Sequence, residues 1–315
     1  MTGTFTGGIT FTGGITFSVA PPSSATAGWF GGGYTNAPSS TIQRITFATD
    51  TATASVRGPL SSGRKVNAGV STFTYGWFGG GYTTGGVVVS SIDRITFATD
   101  TDTASSRGPL AVTAAFMAGV GTATYGWYTG GSSGSLISRI QRITFATDTA
   151  TASYRGNLVP PYGRSSGGTS DGTTYGWIVG GTNPTSSATQ RITYATDTAT
   201  PSYRGPLSSV VYAMGSVGTT TDGWFAGGFS AGAISTVQRI TYATDTATAS
   251  VRGPLTAAKY QIAGVADTTY GWFGGNVTPS STVTRIIFAT DTATATNRGP
   301  LATASGYMGS ASGIQ

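Results

Sequence analysis

The sequence predicts an all-β fold: a six-bladed β-propeller whose blades are four-stranded antiparallel sheets. The six tryptophans of the 315-residue chain are spaced by 48, 50, 50, 47 and 48 residues, and each one opens a Gly-rich step. A nearly verbatim block follows each step, first seen as residues 44–60, and no segment shows the periodicity of an amphipathic helix. Because one propeller blade takes about 40 to 50 residues, six such repeats fill the chain as a single ring.

Four short strands are predicted in each repeat. Across the first two copies they span residues 66–71, Tyr75–Gly79, 42–48 and 53–57. The stretch 42–48 alternates apolar and polar residues, as a half-buried strand does. The stretch 66–71 is rich in Ala, Gly and Val, and such small residues suit an innermost strand because the blades converge on a crowded central channel.

The turns and strand ends between these strands are also repeated. The third and fourth strands are separated by a tight turn that contains Asp50, whose side chain can accept bonds from backbone N–H groups two residues further on. Gly58-Pro59 ends the fourth strand, because Pro cannot donate to a β-ladder. The Gly pair after each Trp predicts either a close approach of neighbouring backbone or a bulge.

Over residues 28–312 the repeats resemble those of the kelch family. The shared features are an aromatic-apolar step ending in Gly79-Gly80, a strand whose Phe47 precedes an Asp/Thr-rich turn, and a Pro-Leu before a small-residue strand. One feature departs from the kelch pattern: the Trp that follows the turn in that family is missing, and Ala54 or Ser55 stands near its place. The resemblance implies a kelch-like propeller.

A narrower resemblance concerns the exact amino-acid sequence of the repeat. The segments 75–81 (Tyr-Gly-Trp-Phe-Gly-Gly-Gly) and 50–60 (Asp-Thr-Ala-Thr-Ala-Ser-Val-Arg-Gly-Pro-Leu) are similar to repeats in virion structural proteins of marine tailed phages such as cyanophages. This resemblance implies a tail fibre, spike or capsid appendage that is made in the host cytoplasm and carried on the extracellular particle. Its expected partners are other virion proteins and a host surface glycan or receptor, and its oligomeric state is left open.

The two ends of the chain predict how the ring closes. Residues 306–312 align with an innermost strand but have no Trp step after them, whereas Trp29 needs such a strand beside it. We therefore expect the C-terminal strand to complete the first blade, which removes an open sheet edge. The competing donor is the segment 15–19, which Pro21-Pro22 follows at once.

The predicted domains are an N-terminal extension, residues 1–20, and the propeller, residues 21–315. The extension carries a Gly/Thr-rich segment, 3–17, with a six-residue period. Such short strands cannot fold alone, so they pair with the propeller flank or a partner chain, unless the segment is a frayed tail. The N-terminus has no basic and apolar regions of a signal peptide, and no apolar run is long enough for a membrane span.

The net charge of +6 follows from the repeat itself. Each repeat contributes two Arg and one Asp, and the remaining basic and acidic residues cancel. Arginines at fixed places, such as Arg44 and Arg57, predict bridges between blades, and a ring that binds polyanions is the alternative. Because Lys-rich runs are missing, we expect no binding to nucleic acid.

Composition argues against an enzyme. The chain has no Cys, His or Glu, so it lacks thiolate, imidazole and His/Cys metal chemistry, and no two Asp stand out from the repeat as a catalytic pair. The Asp-Thr turns lack the clustered carboxylates of a Ca²⁺ site, and the Gly-rich steps lead into no helix, so they are not phosphate loops. We predict no catalytic, metal or cofactor site.

The loop after each Gly pair is where the repeats differ most. In a closed ring these six loops cluster on one face, and their divergence reflects either a binding face or unconstrained drift. A propeller lectin, with sugars stacked on the tryptophans, is the alternative function, and a polysaccharide hydrolase is a third hypothesis. The candidate contact residues in these loops are Tyr34, Asn36, Tyr82, Val88, Ser133, Asn183, Phe229 and Asn276.

Overall fold

Six four-stranded antiparallel sheets, joined as blades around one axis, make up the protein. The structure is a computed structural model, and it describes residues 25–160 and 164–312. The predicted six-bladed propeller is therefore confirmed. Over the described residues the only helices are six single turns of 3₁₀ helix, and none could span a membrane.

Each blade presents its strands in the order inner, second, third and outer. The inner strands, from blade 1 to blade 6, are Gly309–Ala311, Ala68–Ser71, Ala118–Gly121, Gly167–Ser170, Gly215–Gly218 and Ala263–Ala266. The second strands are Ala27–Gly31, Tyr75–Gly79, Tyr125–Thr129, Tyr175–Val179, Asp222–Ala226 and Tyr270–Gly274. The third strands are Ile42–Thr46, Ile92–Thr96, Arg139–Thr144, Thr189–Thr193, Val237–Thr241 and Val283–Ile287. The outer strands are Ser55–Arg57, Ser105–Arg107, Ser153–Asn157, Ser202–Arg204, Ser250–Arg252 and Thr296–Arg298.

A 3₁₀ turn follows every third strand, and one hairpin is added to the ring. The predicted third strand, 42–48, ends at Thr46 because the chain tightens there into a single helical turn. The 3₁₀ turns are Phe47–Thr49, Phe97–Thr99, Phe145–Thr147, Tyr194–Thr196, Tyr242–Thr244 and Phe288–Thr290. The extra hairpin, Ser132–Ser133 with Ser135–Leu136, lies in the loop between the second and third strands of blade 3.

The C-terminal strand closes the ring, as the sequence predicts. Gly309–Ala311 pairs antiparallel with Ala27–Gly31, with Trp29 opposite Ala311. The first blade is therefore built from both ends of the described chain. The predicted N-terminal extension, with its segments 3–17 and 15–19, lies outside the described residues.

Small residues line the axis because the inner strands leave no room for larger ones. A Cβ atom on Gly69 would lie 1.9 Å from the carbonyl oxygen of Ser310 in the neighbouring blade. One on Gly119 would lie 2.2 Å from the carbonyl oxygen of Gly69. Both distances are far inside van der Waals contact, so the predicted crowding at the axis is confirmed.

Candidate interaction face

All six tryptophans are buried at the junctions between blades. Each is at most 5% exposed, and each indole Nε1 donates to a turn aspartate of the next blade at 2.7–2.8 Å. Each indole also stacks on the first residue of that blade's 3₁₀ turn, with ring centroids 3.8–4.2 Å apart. A sugar platform built from these tryptophans is therefore wrong, because no face of an indole is free.

The same aspartate also forms ion pairs with two arginines of the preceding blade. The third-strand Arg reaches it with Nη1 at 2.9–3.1 Å. The outer-strand Arg forms a longer ion pair at 3.4–3.5 Å in five blades. We call each set of one Trp, two Arg and one Asp a junction cluster. The six are Trp29, Arg44, Arg57 with Asp100; Trp77, Arg94, Arg107 with Asp148; Trp127, Arg142, Arg155 with Asp197; Trp177, Arg191, Arg204 with Asp245; Trp224, Arg239, Arg252 with Asp291; and Trp272, Arg285, Arg298 with Asp50.

The junction clusters show the structural role of the repeated arginines and aspartates. The arginines bridge neighbouring blades, as the sequence predicts. The role expected for the turn aspartate is wrong: the Asp50 carboxylate receives Trp272 and Arg285 of another blade, while Ala52 N–H to Thr49 O at 3.0 Å holds the turn. The buried carboxylate needs charged partners from elsewhere in the fold, and the periodicity of the sequence does not reveal them.

A reciprocal pair of backbone hydrogen bonds reinforces five of the six junctions. At the first, Gly58 N–H donates to Asp100 O and Ala104 N–H donates to Pro59 O, both at 2.8 Å. The junction of blades 3 and 4 lacks both bonds. Pro201 has no N–H where the other blades have Ala, and the register of the outer strand shifts just before Gly156, the residue equivalent to Gly58. There Arg155 makes the closest ion pair of its kind, with Nη2 at 2.6 Å from Asp197.

The loops between second and third strands share one end of the ring with the loops between outer and inner strands, because the strands are antiparallel. We call this end the variable face and the other the opposite face. All eight candidate residues lie on the variable face. Three of them pair with the outer-to-inner loops: Tyr34 with Gly306, Tyr82 with Lys65, and Phe229 with Tyr212.

The other five candidates make contacts of different kinds. Val88 pairs with Tyr82 in its own loop, and Ser133 shares a 2.8 Å hydrogen bond with Thr113. Asn276 accepts two backbone N–H groups through its side-chain oxygen. The exposed residues Asn36 and Asn183 have positive φ angles of 123° and 69°, so they shape turns at the loop tips.

A closed ring of backbone hydrogen bonds surrounds the channel on the variable face. It is formed by one residue from each outer-to-inner loop, and every one has a left-handed backbone with φ between 54° and 61°. Each N–H donates to the carbonyl of its counterpart in the preceding blade at 2.7–2.9 Å, and the sixth bond closes the circle. The members of this backbone ring, in donor order, are Val66, Phe116, Ser165, Ala213, Gln261 and Tyr307.

Half-buried aromatic side chains stand around the same channel mouth. They come in three groups: Tyr34 with Tyr307, Tyr82 with Phe116, and Tyr212 with Phe229 and Tyr260, with ring centroids 5.0–6.2 Å apart. We call these seven residues the aromatic rim. Four of them, Phe116, Tyr212, Tyr260 and Tyr307, lie on outer-to-inner loops. The candidate residues come from the loops that differ most between the repeats, so these four were missed.

Two cations lie against the aromatic rim. The Lys65 Nζ is 4.5 Å from the centroid of Tyr34, and the Arg164 guanidinium is 5.2 Å from the centroid of Phe116. Neither makes an ion pair among the described residues. Burial raises the pKa of Tyr307, and the neighbouring Tyr260 and Tyr34 raise it further, so this phenol stays neutral.

Two further cations lie beneath this face at equivalent positions of two blades. Arg64 is fully buried and pairs with the buried Asp93 at 2.6 Å; burial lowers the pKa of Arg64, and Asp93 opposes this. Lys259 is also buried, but Thr284 stands where Asp93 is in the other blade. Among the described residues its Nζ donates only to Thr282 O, at 3.4 Å, and burial lowers the pKa of Lys259 to about 8.

No protein-family model matches the chain, and no curated protein is similar to it. The reading of the variable face therefore depends on its own residues.

Proposed function

We propose that this protein is a non-enzymatic structural and attachment component of a phage particle: a tail fibre, spike or capsid appendage. The ring serves as a rigid platform, and the variable face contacts a host surface or a neighbouring virion protein. One contrast carries the proposal: the junction clusters repeat in all six blades, while aromatic groups and loop sequences on the variable face differ from blade to blade.

The engagement of the acidic residues supports a non-catalytic role. Six of the eleven Asp are buried between two arginines and an indole, and Asp93 is locked to Arg64. Asp171 and Asp267 accept backbone N–H groups of their own turns. Among the described residues no three acids approach one another as a metal site would require.

We also propose that the blades are kelch-like. The observed blade has the order of features that suggested this family: an aromatic second strand ending in glycines, a third strand leading into an Asp turn, and a Pro-Leu step before a small-residue inner strand.

Immunogold electron microscopy of the phage that encodes this chain tests the proposal. Antibodies against the purified propeller should decorate one defined structure of the intact particle. Pre-incubation with the wild-type protein should also reduce adsorption of that phage to its host. Particles that carry no label, together with unchanged adsorption, would contradict both the virion location and the attachment role.

A glycan-binding role is the second candidate, and the aromatic rim is the observation that favours it. Half-exposed Tyr and Phe rings can stack on the apolar faces of sugar rings, which the buried tryptophans cannot do.

A further inference from the structure

We propose that the aromatic rim, with Lys65 and Arg164, binds an anionic glycan: a polysaccharide whose sugar rings carry carboxylate or sulfate groups. The inference rests on the proposed role of the variable face as a binding surface, and it names the chemical class of the ligand. Three properties of the face carry it, namely its charge, its shape and the placement of its cations.

Charge separates the two faces of the ring. The four aspartates outside the junction clusters and the Arg64 pair are Asp102, Asp171, Asp222 and Asp267, and all lie in or directly beside turns of the opposite face. On the variable face the single acid among the described residues is Asp93, which is fully buried against Arg64. An approaching anion therefore meets Lys65 and Arg164 without meeting a competing carboxylate.

Shape favours sugars over a folded protein partner. The depression at the channel mouth, bounded by Val66, Phe116 and Tyr307, has a volume of only about 80 Å³. Protein interfaces are anchored by side chains that fill well-packed, desolvated pockets. The depression at this mouth is too small and shallow to serve as such a pocket. Shallow aromatic rings set among hydroxyl-bearing loops instead match the flat, hydroxylated surface of a glycan.

The two cations are held in place but lack an ionic partner. Lys65 lies over Tyr34 and within 5.7 Å of Tyr307, and Arg164 lies over Phe116, so ring contacts restrict both side chains. An anionic group can bond either cation without displacing an internal ion pair. An Arg or Lys bond to a carboxylate or sulfate is about twice as strong as a neutral hydrogen bond.

The third group of the rim, Tyr212, Phe229 and Tyr260, has no exposed cation beside it. Lys259 is next to Tyr260 in sequence, but it is buried and bonds inward to Thr282. We expect this sector to stack on uncharged sugar units of the same chain, while the anionic units lie over Lys65 and Arg164.

Calorimetric titration of the full-length protein with four polymers tests the inference. Polygalacturonate carries carboxylates, dextran sulfate carries sulfates, dextran is neutral, and polyglutamate is an acidic peptide. We expect one or both anionic polysaccharides to bind, the better one identifying the group, and dextran and polyglutamate to bind at least ten times more weakly. In the double variant Lys65→Gln/Arg164→Gln, affinity for the anionic polysaccharide should fall at least tenfold. Tyr34→Ala should also weaken this binding.

The matched control is Arg139→Gln. Arg139 is exposed on the variable face but stacks on Tyr154 at the outer edge, away from the rim, and its loss should change binding less than twofold. Equal losses in Arg139→Gln and in the double variant would overturn the site. Equal binding of polyglutamate would show an acidic-peptide surface instead, and no binding of either polysaccharide would reject the glycan. A protein that blocks phage adsorption yet binds no polysaccharide would refute this inference alone and leave the attachment role standing.

Discussion

The indole of Trp272 donates to Asp50 at 2.8 Å, although 222 positions separate the two residues in the chain. The bond has the same geometry as the one between Trp77 and Asp148, which joins consecutive blades. The last and first blades are therefore held by the same contacts as four of the other five junctions. The junction between the last and first blades is therefore no weaker in its contacts than these others, as the proposed platform role requires.

Removing the negative charge of one junction cluster should destabilise the whole ring. Asp148 is buried and pairs with Arg94 and Arg107 while it accepts from Trp77. Asp148→Asn removes the negative charge and leaves two arginines without a partner, so we expect a loss of about 2–4 kcal/mol in the free energy of unfolding, measured with urea.

The control for this variant is Asp102→Asn, in the same type of turn but exposed. Its stability should stay within about 0.5 kcal/mol of wild type. Equal losses of stability in the two variants would show that the buried carboxylate of Asp148 contributes no more to stability than an exposed one.

The arginine at the junction of blades 3 and 4 should matter more than its counterparts. Arg155 lies 2.6 Å from Asp197 and has no reciprocal backbone pair beside it, whereas Arg107 lies 3.5 Å from Asp148 and has one. We expect Arg155→Ala to cost about 2–3 kcal/mol and Arg107→Ala about 1 kcal/mol in urea unfolding. A larger loss in Arg107→Ala would refute this ranking.

Close approach between blades should make one glycine irreplaceable. A Cβ on Gly108 would lie 2.0 Å from the carbonyl oxygen of Ala150 in the next blade. Backbone hydrogen bonds from Gly108 to Asp148 and from Ala150 to Thr147 hold both segments in place. Gly108→Ala should therefore lower the free energy of unfolding by about 3 kcal/mol or more. Gly232→Ala is the matched control, since its Cβ would meet nothing within 4 Å; thermal unfolding with similar midpoints for both variants would contradict the contact.

The buried Lys259 should make stability depend on alkaline pH. Its pKa is lowered to about 8 in the folded state, against about 10.4 for an unfolded chain. Between these values the unfolded chain holds the proton and the folded protein does not, so stability rises with pH through this window. Below pH 8 both states are protonated, and the folded state carries the full cost of the buried charge.

Lys259→Met should therefore be more stable than wild type at pH 7, with the difference shrinking as pH rises from 8 to 10. Using this difference cancels the opposing effect of Tyr128, Tyr194 and Tyr242, whose pKa values burial raises. Thr284→Asp should also stabilise the protein at pH 7, because it places a carboxylate beside Lys259, at the position equivalent to Asp93 beside Arg64. The control, half-exposed Lys65→Met, should show no such trend, and a pH-independent difference for Lys259→Met would contradict the account.

Much of the fold could be predicted from the sequence because the repeat is nearly verbatim. The spacing of the tryptophans predicts six blades, and the inner strand left over near Tyr307 predicts how the ring closes. The partner of Asp50 could not be predicted, because its turn sequence also suits a local side-chain bond. The backbone ring could not be predicted either: Val66, Phe116 and Gln261 share no side-chain chemistry and are not residues that favour a left-handed backbone.

The candidate face was predicted in part. The divergence of the loops led to Tyr34, Tyr82 and Phe229, which do lie on the aromatic rim. Their neighbours Phe116 and Tyr260 were missed because they precede the inner strands, in loops whose lengths hardly change. A position-by-position comparison of those loops would have shown Lys65, Arg164, Tyr212 and Tyr260 in one column.

Native-state hydrogen exchange of the six amides of the backbone ring tests most directly whether the closure is as strong as every other junction. Two of these amides, those of Val66 and Tyr307, join the C-terminal strand to its neighbours. The account predicts that all six exchange together, at rates set by global unfolding. Exchange at Val66 and Tyr307 that is orders of magnitude faster than at Phe116, Ser165 and Ala213 would contradict it, because the first blade would then open independently.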